Sequence, residues 1–220
     1  GAATFDNLGA AACFLPDIDL DGVPDLAVGA PFANTAGPNT GKVYVFSGGG
    51  LQPGLNPVGL AMAEIAGAEP GDEFGWSVSG ADLDGDGRSE LLTGSWLNSD
   101  AAQRAGKGYV FDGGTLGGGG ALDASDAAWT VSGGNWFDRA GWALDATGDF
   151  DGDGLPDPVF GGYEVNTSEF DAGQTAIFLS TSAPGPGDHV LSDGAVLIDG
   201  TEVYEGSGWW VASGGDVDGD

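Results

Sequence analysis

The stretch Asp82-Leu-Asp84-Gly-Asp86-Gly87-Arg-Ser-Glu90 decides the fold, because versions of it recur along the chain. The recurrences begin at Asp17, Asp149 and Asp216, so the step between first aspartates is 65 to 67 residues. Internal repetition at a fixed step is the signature of a repeat architecture, in which each repeat is one supersecondary unit. The structure of one repeat therefore predicts the unit that the whole chain repeats.

Other landmarks keep the same step. An aromatic strand recurs at Lys42-Val-Tyr-Val-Phe46, Lys107-Gly-Tyr-Val-Phe111 and Gln174-Thr-Ala-Ile-Phe178. The segments between turn residues are short and rich in β-branched and aromatic residues, and none of useful length has a helical period. Each repeat therefore predicts four short strands, of which the first enters the acidic cluster and the second leaves it.

Four strands per repeat predict an all-β fold, a β-propeller of four-stranded antiparallel blades. The repeats are expected at residues 5–67, 72–133, 138–200 and, truncated, 205–220. The chain would thus hold about three blades and the first strand of a fourth. Because the sequence stops inside an acidic cluster, we expect a longer chain with a full domain of seven blades, about 460 residues at this step.

The amino-acid composition disfavours several classes of binding partner. Five Lys and Arg residues against 34 Asp and Glu residues give a formal net charge of −29, which disfavours nucleic acid and anionic lipid as partners. No apolar run approaches the length of a membrane span, so membrane insertion of this segment is not expected. Many of the acids must be either solubilising or metal-binding, and their positions favour metal binding.

The reactive side chains are few. Cys13 and His189 are the single cysteine and histidine, so an internal disulfide is impossible and a second zinc-binding histidine is missing. We expect structural roles for both residues. No nucleophile–base pair can be read, and Lys42 and Lys107 occupy equivalent strand positions, which favours a scaffold role. The segment is therefore not expected to be an enzyme, although a longer chain could contain one.

The acidic clusters predict metal loops. Carboxylates at alternate positions can converge, and they repel one another unless a cation is present. All-oxygen ligation favours Ca²⁺, about one ion for each complete repeat. A backbone carbonyl is expected to join by analogy with other calcium loops. The candidate ligands are Asp17, Asp19, Asp21, Val23 and Asp25; Asp82, Asp84, Asp86, Arg88 and Glu90; Asp149, Asp151, Asp153, Leu155 and Asp157; and Asp216, Asp218 and Asp220.

Two other kinds of loop fit these residues less well. The EF-hand requires a bidentate Glu at its twelfth position, and Val28, Thr93 and Phe160 stand there. The other is an acidic β-turn without metal, but a turn needs one Asp or Asn and not several alternating acids. The calcium loop is the better prediction.

The sequence resembles the FG-GAP repeats of integrin α-chain propellers and their bacterial relatives. The matching residues are Phe74-Gly75, the acidic loops, Val28-Gly-Ala-Pro31 and Gly41-Lys-Val-Tyr-Val-Phe46. The resemblance implies that each acidic loop joins the first two strands of a blade and holds Ca²⁺. The chain departs from the pattern at Leu8-Gly9, Ala140-Gly141, Ser207-Gly208, Ser95-Trp96, Gly162-Tyr163 and Glu90.

The resemblance also implies a ligand face opposite the calcium loops. Its loops would be residues 32–40, 97–106, 164–173, 68–73, 134–139 and 201–206. The candidates for contact with a protein or a carbohydrate are Trp96, Trp136, Phe137, Tyr163 and Tyr204. The alternative is that most of these aromatic side chains pack between blades. Trp76, Trp142 and Trp209 are expected in the core, because they repeat with the blade.

Three classes of function follow. The leading interpretation is a calcium-stabilised binding or adhesion module that is extracellular, secreted or at the surface of a bacterial cell. The second is an accessory or catalytic propeller of a secreted hydrolase or lyase. The third is a structural spacer of a surface protein. In each case the remaining blades of the same chain are expected partners.

Overall fold

The computed structural model describes residues 6–182 and 184–213, which form three antiparallel blades. Blade 1 contains β1 (Ala12–Leu15), β2 (Asp25–Ala30), β3 (Lys42–Phe46) and β4 (Ala63–Ala66). Blade 2 contains β5 (Val78–Ala81), β6 (Glu90–Ser95), β7 (Lys107–Phe111) and β9 (Trp129–Ser132). Blade 3 contains β10 (Ala143–Asp145), β11 (Val159–Gly162), β12 (Gln174–Ile177) and β14 (Val196–Asp199). The predicted all-β architecture of propeller-type blades is confirmed.

The strands pair in sequence order within each blade, and all of these pairs are antiparallel. The register joins Val28 to Ala12 on one side and to Tyr44 on the other, and the same pattern recurs in blades 2 and 3. The predicted bounds of β3 and β7 agree with the structure, and β12 ends one residue before the predicted Phe178. The acidic clusters that begin at Asp17, Asp82 and Asp149 each lie in the hairpin between the first two strands of their blade.

Two short strands were not predicted. They are β8 (Gly120–Asp123) and β13 (Gly187–Val190), and both lie between the third and fourth strands of their own repeats. A short helix, α1 (Gly113–Gly117), precedes β8. Each of the two strands pairs in parallel with the fourth strand of the preceding blade, β8 with β4 and β13 with β9. We call β8 and β13 straps, because each one ties a repeat to the blade before it.

Adjacent blades pack face to face through apolar side chains. Between blades 1 and 2, Val43 and Ile65 are completely buried in one cluster with Phe74, Leu91 and Phe111. Between blades 2 and 3, a second cluster contains Val110, Val131 and Phe160. Alternating strand residues supply these faces, because successive side chains point to opposite sides of a sheet.

Glycine allows the blades to approach at one repeated point. A Cβ atom at Gly94 in β6 would lie 1.9 Å from the carbonyl oxygen of Gly141, just before β10. The same contact recurs between Gly29 and Gly75 and between Gly161 and Gly208, at 2.0 and 2.2 Å. The backbone of each repeat thus touches the second strand of the preceding blade where no side chain fits.

Candidate metal centre

Three groups of carboxylates converge at the hairpins between the first and second strands. In each group, one oxygen from each of three side chains lies within 4.8 Å of the other two. The groups are Asp17, Asp19 and Asp25; Asp82, Asp84 and Glu90; and Asp149, Asp151 and Asp157. We call these groups the acid triads and their hairpins, residues 17–25, 82–90 and 149–157, the acid loops.

The last acid of each triad is buried at the start of the second strand. Asp25 is fully buried; its Oδ2 accepts the N–H of Ile18 at 2.7 Å and its Oδ1 accepts the N–H of Gly48 at 2.9 Å. Burial raises the pKa of Asp25 above its ordinary value, although the two hydrogen bonds oppose the rise. The carboxylate therefore ties the acid loop to the end of the third strand.

Glu90 makes the same pair of hydrogen bonds despite its longer side chain. Its Oε2 accepts the N–H of Leu83 at 2.7 Å, and its Oε1 accepts the N–H of Gly113 at 3.1 Å. Burial raises the pKa of Glu90 to about 7. In blade 3, Asp157 accepts from Phe150 at 2.7 Å and from Ser180 at 2.8 Å. The three blades thus share one design at this position.

The third aspartate of each acid loop lies outside the triad. Asp21 Oδ1 accepts the N–H of Val23 at 2.8 Å. The corresponding bonds are those of Asp86 with Arg88 and of Asp153 with Leu155. These aspartates shape the turn, and ligation by them or by the carbonyls of Val23, Arg88 and Leu155 stays a prediction. Asp216, Asp218 and Asp220 lie outside the described residues.

The three acid loops share one left-handed position but differ in the residue that occupies it. The fourth residue of each acid loop has a left-handed backbone, with φ of 62° at Leu20, 77° at Gly85 and 76° at Gly152. Glycine adopts this region freely, whereas an L-residue with a Cβ atom is strained there. The first acid loop therefore carries a strain that the other two do not.

The donor set of the triads fits a hard cation. Among the described residues, no triad acid forms a salt bridge with Lys, Arg or His. The Arg88 side chain turns away from its own loop and donates to the carbonyl oxygen of Ile18 in the neighbouring blade. Three carboxylates this close repel one another strongly. An oxygen-only site of this kind suits Ca²⁺, which takes six to eight oxygen ligands.

The opposite end of the blades carries an array of aromatic rings. Trp142 lies at its centre, with ring centroids 4.9 Å from Trp76, 4.8 Å from Trp96, 4.8 Å from Tyr163 and 5.3 Å from Trp209. We call these five residues the aromatic array. Trp76 precedes β5 and Trp96 follows β6, so both lie at the hairpin end remote from the acid loop.

Polar partners fix the aromatic array. The Trp96 indole N–H donates to Glu73 Oε2 at 2.9 Å, and the Arg139 guanidinium lies 4.8 Å from the Trp96 ring centroid. Arg139 Nε also donates to Glu164 Oε2 at 3.1 Å. Trp96 and Tyr163, both ligand-face candidates, are therefore packed between blades. The expectation of core burial is wrong for Trp209, which is 47% exposed beside the described end of the chain.

Other aromatic candidates at this end are open to solvent. Trp136 is 67% and Tyr204 72% exposed. Tyr204 stacks edge-on with the exposed Phe170, with ring centroids 5.6 Å apart. Phe137 is half-buried and lies under the guanidinium of Arg139 at 5.5 Å. Of the five ligand-face candidates, Trp136 and Tyr204 are thus the accessible ones.

The single thiol and imidazole lie far apart in sequence and make local contacts. Burial raises the pKa of Cys13 to about 12, which keeps the thiol protonated. His189 Nε2 lies 2.9 Å from the carbonyl oxygen of Gly185, and its ring meets the edge of Trp129 at 6.3 Å. Lys42 pairs with Glu64 at 2.7 Å. His189 and Lys42 thus make contacts within the blades, and the structural roles of Cys13 and His189 stay a prediction.

Comparison with known proteins agrees with this geometry. The FG-GAP repeat family matches residues 8–46 and 74–111, the first three strands of blades 1 and 2 together with their acid loops. This chain carries FG-GAP repeats. Blade 3 lies outside the matched residues, but its strands, its acid triad and its glycine contact repeat those of the other two blades.

Relatives with FG-GAP-like segments include integrin α chains. Integrin alpha-7 of Mus musculus is 37% identical over 98 residues, which cover 44% of this chain and 8% of that protein. Integrin alpha-5 of Xenopus laevis is 33% identical over 100 residues, covering 44% and 9%. Phosphatidylinositol-glycan-specific phospholipase D of Homo sapiens is 33% identical over 135 residues, covering 58% and 15%.

The matched segment thus spans less than a sixth of each of these relatives. Among the described residues, no helix has the length and apolar character needed to cross a bilayer.

Proposed function

We propose that this FG-GAP chain is a calcium-stabilised recognition module of the adhesion type, working outside the cell. The observation that carries the proposal is the threefold recurrence of one acid triad with a buried last carboxylate. A feature that recurs in every blade serves the blade itself. We therefore assign Ca²⁺ a structural role, in which the ion relieves the repulsion of each triad and fixes the first hairpin.

The calcium affinity typical of extracellular modules supports a setting outside the cell. The third aspartate of each acid loop is exposed, and extracellular calcium modules work at dissociation constants of about 10⁻⁴ to 10⁻³ M. Calcium outside cells is high enough to fill sites in that range. The integrin α relatives support the same setting, as does the strongly acidic surface, which disfavours nucleic acid and anionic lipid.

Recognition is assigned to the end of the blades opposite the acid loops. The exposed rings of Trp136, Phe170 and Tyr204 lie in loops at that end. Aromatic side chains supply large contact areas at low entropic cost and are enriched in binding hot spots. The aromatic array lies at the same end of the blades, and its ring contacts would support these loops. A protein or a carbohydrate is the expected ligand.

A ligand screen tests this assignment. The calcium-loaded chain would be probed against glycans and extracellular-matrix proteins, together with Trp136→Ala and Tyr204→Ala variants. We expect a hit that weakens at least tenfold in one of these variants, while Leu55→Ala, a substitution of a 99% exposed residue in blade 1, leaves binding unchanged. A hit that tolerates both aromatic substitutions would contradict the assigned face.

A second candidate is an accessory propeller of a secreted hydrolase. The phospholipase D relative aligns over 135 residues, a longer stretch than the integrin matches reported above. In this interpretation the FG-GAP blades would position a catalytic domain and not bind a separate partner. Co-purification of a hydrolase domain on the same polypeptide, with activity that falls when the acid triads are substituted, would favour this candidate.

A further inference from the structure

The two straps pair with the preceding blade at the same position and continue into the same kind of turn. Gly120 of β8 pairs with Ala63, and Gly187 of β13 pairs with Trp129, at the same position of the fourth strand. Each strap is followed by a single 3-10 turn, Ala124–Asp126 or Leu191–Asp193, whose first residue is buried between the blades. The strap is thus a repeated device and not an accident of one loop.

The last residue of each strap is held by the turn that follows it. Asp126 Oδ2 accepts the N–H of Asp123 at 2.8 Å, and Asp193 Oδ2 accepts the N–H of Val190 at 3.0 Å. The β13 strap is also pinned laterally, since Asp188 accepts from Thr130 Oγ1 at 2.6 Å and lies 3.4 Å from Lys107 Nζ.

The fourth strand of blade 3 lacks such a cover among the described residues. Its sheet runs β10-β11-β12-β14 and ends there, whereas β4 and β9 each carry a strap. All four residues of β9 are buried, but Leu197 and Ile198 of β14 are 40% and 53% exposed. Exposed edges of this kind are templates for strand addition.

The backbone of β14 is oriented for that addition. The N–H of Gly200 bonds to the carbonyl oxygen of Gly173 at 2.9 Å, so Gly200 faces β12. Backbone groups alternate in direction along an antiparallel strand. The N–H and C=O groups of Leu197 and Asp199 therefore point to the open edge, as those of Thr130 and Ser132 point to β13.

We propose that the outer edge of β14 is a docking site for a parallel strap, supplied by the fourth FG-GAP repeat. Both observed straps come from the repeat that directly follows the blade they cover. The fourth repeat already contacts blade 3, because the N–H of Ser213 donates to Asp145 Oδ2 at 2.6 Å. Its strap would follow β13 by one repeat step and so lie beyond the 220 residues.

The edge also sets the charge of its occupant. Asp199 lies opposite the fourth strap position and accepts a hydrogen bond from the neutral side chain of Gln174. In blade 2 the residue equivalent to Gln174 is Lys107, whose charge pairs with the strap residue Asp188. An acidic residue at that strap position would face a like charge, which destabilises a cross-strand pair. A strap with a neutral or basic fourth residue, such as Val190 of β13, fits better than one with an acid, such as Asp123 of β8.

Peptides of the chain's own sequence provide the probes. Residues 186–194 represent the β13 strap, residues 119–127 represent the β8 strap, and a scrambled 186–194 peptide is the control. NMR titration of the calcium-loaded chain should show saturable binding of 186–194 with protection of the Leu197 and Asp199 amides from exchange. Peptide 119–127 should bind about two- to fivefold more weakly, as a like-charge pair predicts. Absence of binding or of protection at these amides would overturn the proposal.

A matched pair of proline variants separates docking from folding. Leu197→Pro removes an N–H that faces the open edge and lies outside the β12 ladder, so the melting temperature should stay unchanged and peptide binding should fall at least tenfold. Thr130→Pro removes the equivalent N–H, which β13 covers, and should lower the melting temperature. Peptide binding that survives Leu197→Pro would contradict the assigned edge.

The source of the strap is tested on a chain extended through the fourth repeat. The Leu197 and Asp199 amides should become protected in that chain without added peptide. If the 220-residue chain instead formed a concentration-dependent dimer that Leu197→Pro abolished, a second copy would be the occupant and the assignment to the fourth repeat would be wrong.

Discussion

The two ends of the blades differ in how strictly they repeat. At the acid-loop end, Asp25, Glu90 and Asp157 make equivalent hydrogen bonds in all three blades. At the aromatic end, blade 2 has Trp76 and Trp96 where blade 1 has Ala10 and Pro31. The repeated end satisfies a requirement that every blade shares, whereas the variable end is free to differ. The contrast supports the proposal that the acid loops serve structure and that the other end serves recognition.

The largest effect is expected from the buried carboxylate at the acid-loop end. Asp25→Asn replaces one acceptor oxygen by a donor, so one of the buried N–H groups of Ile18 and Gly48 loses its partner. Without calcium, the free energy of unfolding should fall by about 2 to 4 kcal/mol, as expected for an unsatisfied buried group beside a repelling donor. Urea denaturation in chelator measures this change.

The exposed Asp21→Asn variant is the control, since its Oδ1 serves one turn N–H and the amide oxygen of Asn can replace it. Equal losses in Asp25→Asn and Asp21→Asn would show that the buried position has no special role and would weaken the comparison between the two ends.

At the aromatic end, the contrast lies between the packed array and the exposed rings. Trp142→Ala removes contacts with four other rings and should lower the free energy of unfolding by about 2 to 3 kcal/mol, less than for a fully buried tryptophan. Trp136→Ala should change it by less than about 0.5 kcal/mol. Thermal and urea unfolding of both variants decide whether the array supports the loops above it.

A smaller effect is expected from a buried aspartate at the aromatic end whose hydrogen-bond partner differs between blades 2 and 3. The buried Asp72 carboxylate accepts from the Asn98 amide at 2.8 Å, but the equivalent Asp138 has one buried oxygen without a hydrogen-bond partner within the described chain. Val165 stands in blade 3 where Asn98 stands in blade 2. A hydrogen bond to a carboxylate contributes about 1.5 to 3 kcal/mol, and the loss of Val165 from its buried apolar cluster offsets part of this, so Val165→Asn should stabilise the chain by at most about 1 kcal/mol.

The pH dependence identifies the cause of that gain. Burial raises the pKa of Asp138, so the folded state holds its proton more tightly than the unfolded state and loses stability as pH rises through the folded pKa. An added amide favours the ionised carboxylate, so Val165→Asn should stabilise more at pH 7 than at pH 4. The reverse swap, Asn98→Val, should destabilise. A gain independent of pH would contradict the assigned partner.

The smallest effect tests whether the three acid loops are equal. Leu20 is left-handed where the other two loops have glycine. Leu20→Gly relieves this strain but increases the freedom of the unfolded chain, so the net stabilisation should be about 0.5 to 1 kcal/mol. Gly85→Ala in the second loop should have the opposite sign. Urea denaturation of the pair provides the measurement.

The sequence predicted the features that recur at the repeat step of 65 to 67 residues. The strands β3 and β7 and the position of the acid loops follow from landmarks in one register. The straps were missed, because Gly120-Ala-Leu-Asp123 and Gly187-Asp-His-Val190 share only their glycine and pair with a neighbouring blade. The exposure of Trp209 was missed for a related reason: periodicity places a residue in the repeat but does not show how far the next blade covers it.

The central claim is that the acid triads fold around calcium. Isothermal titration calorimetry on the calcium-free chain, followed by thermal unfolding with and without chelator, tests it most directly. We expect uptake of one ion for each of the three triads and a melting temperature that falls in chelator. A folded chain that takes up no calcium, with the same melting curve in excess chelator, would contradict the account.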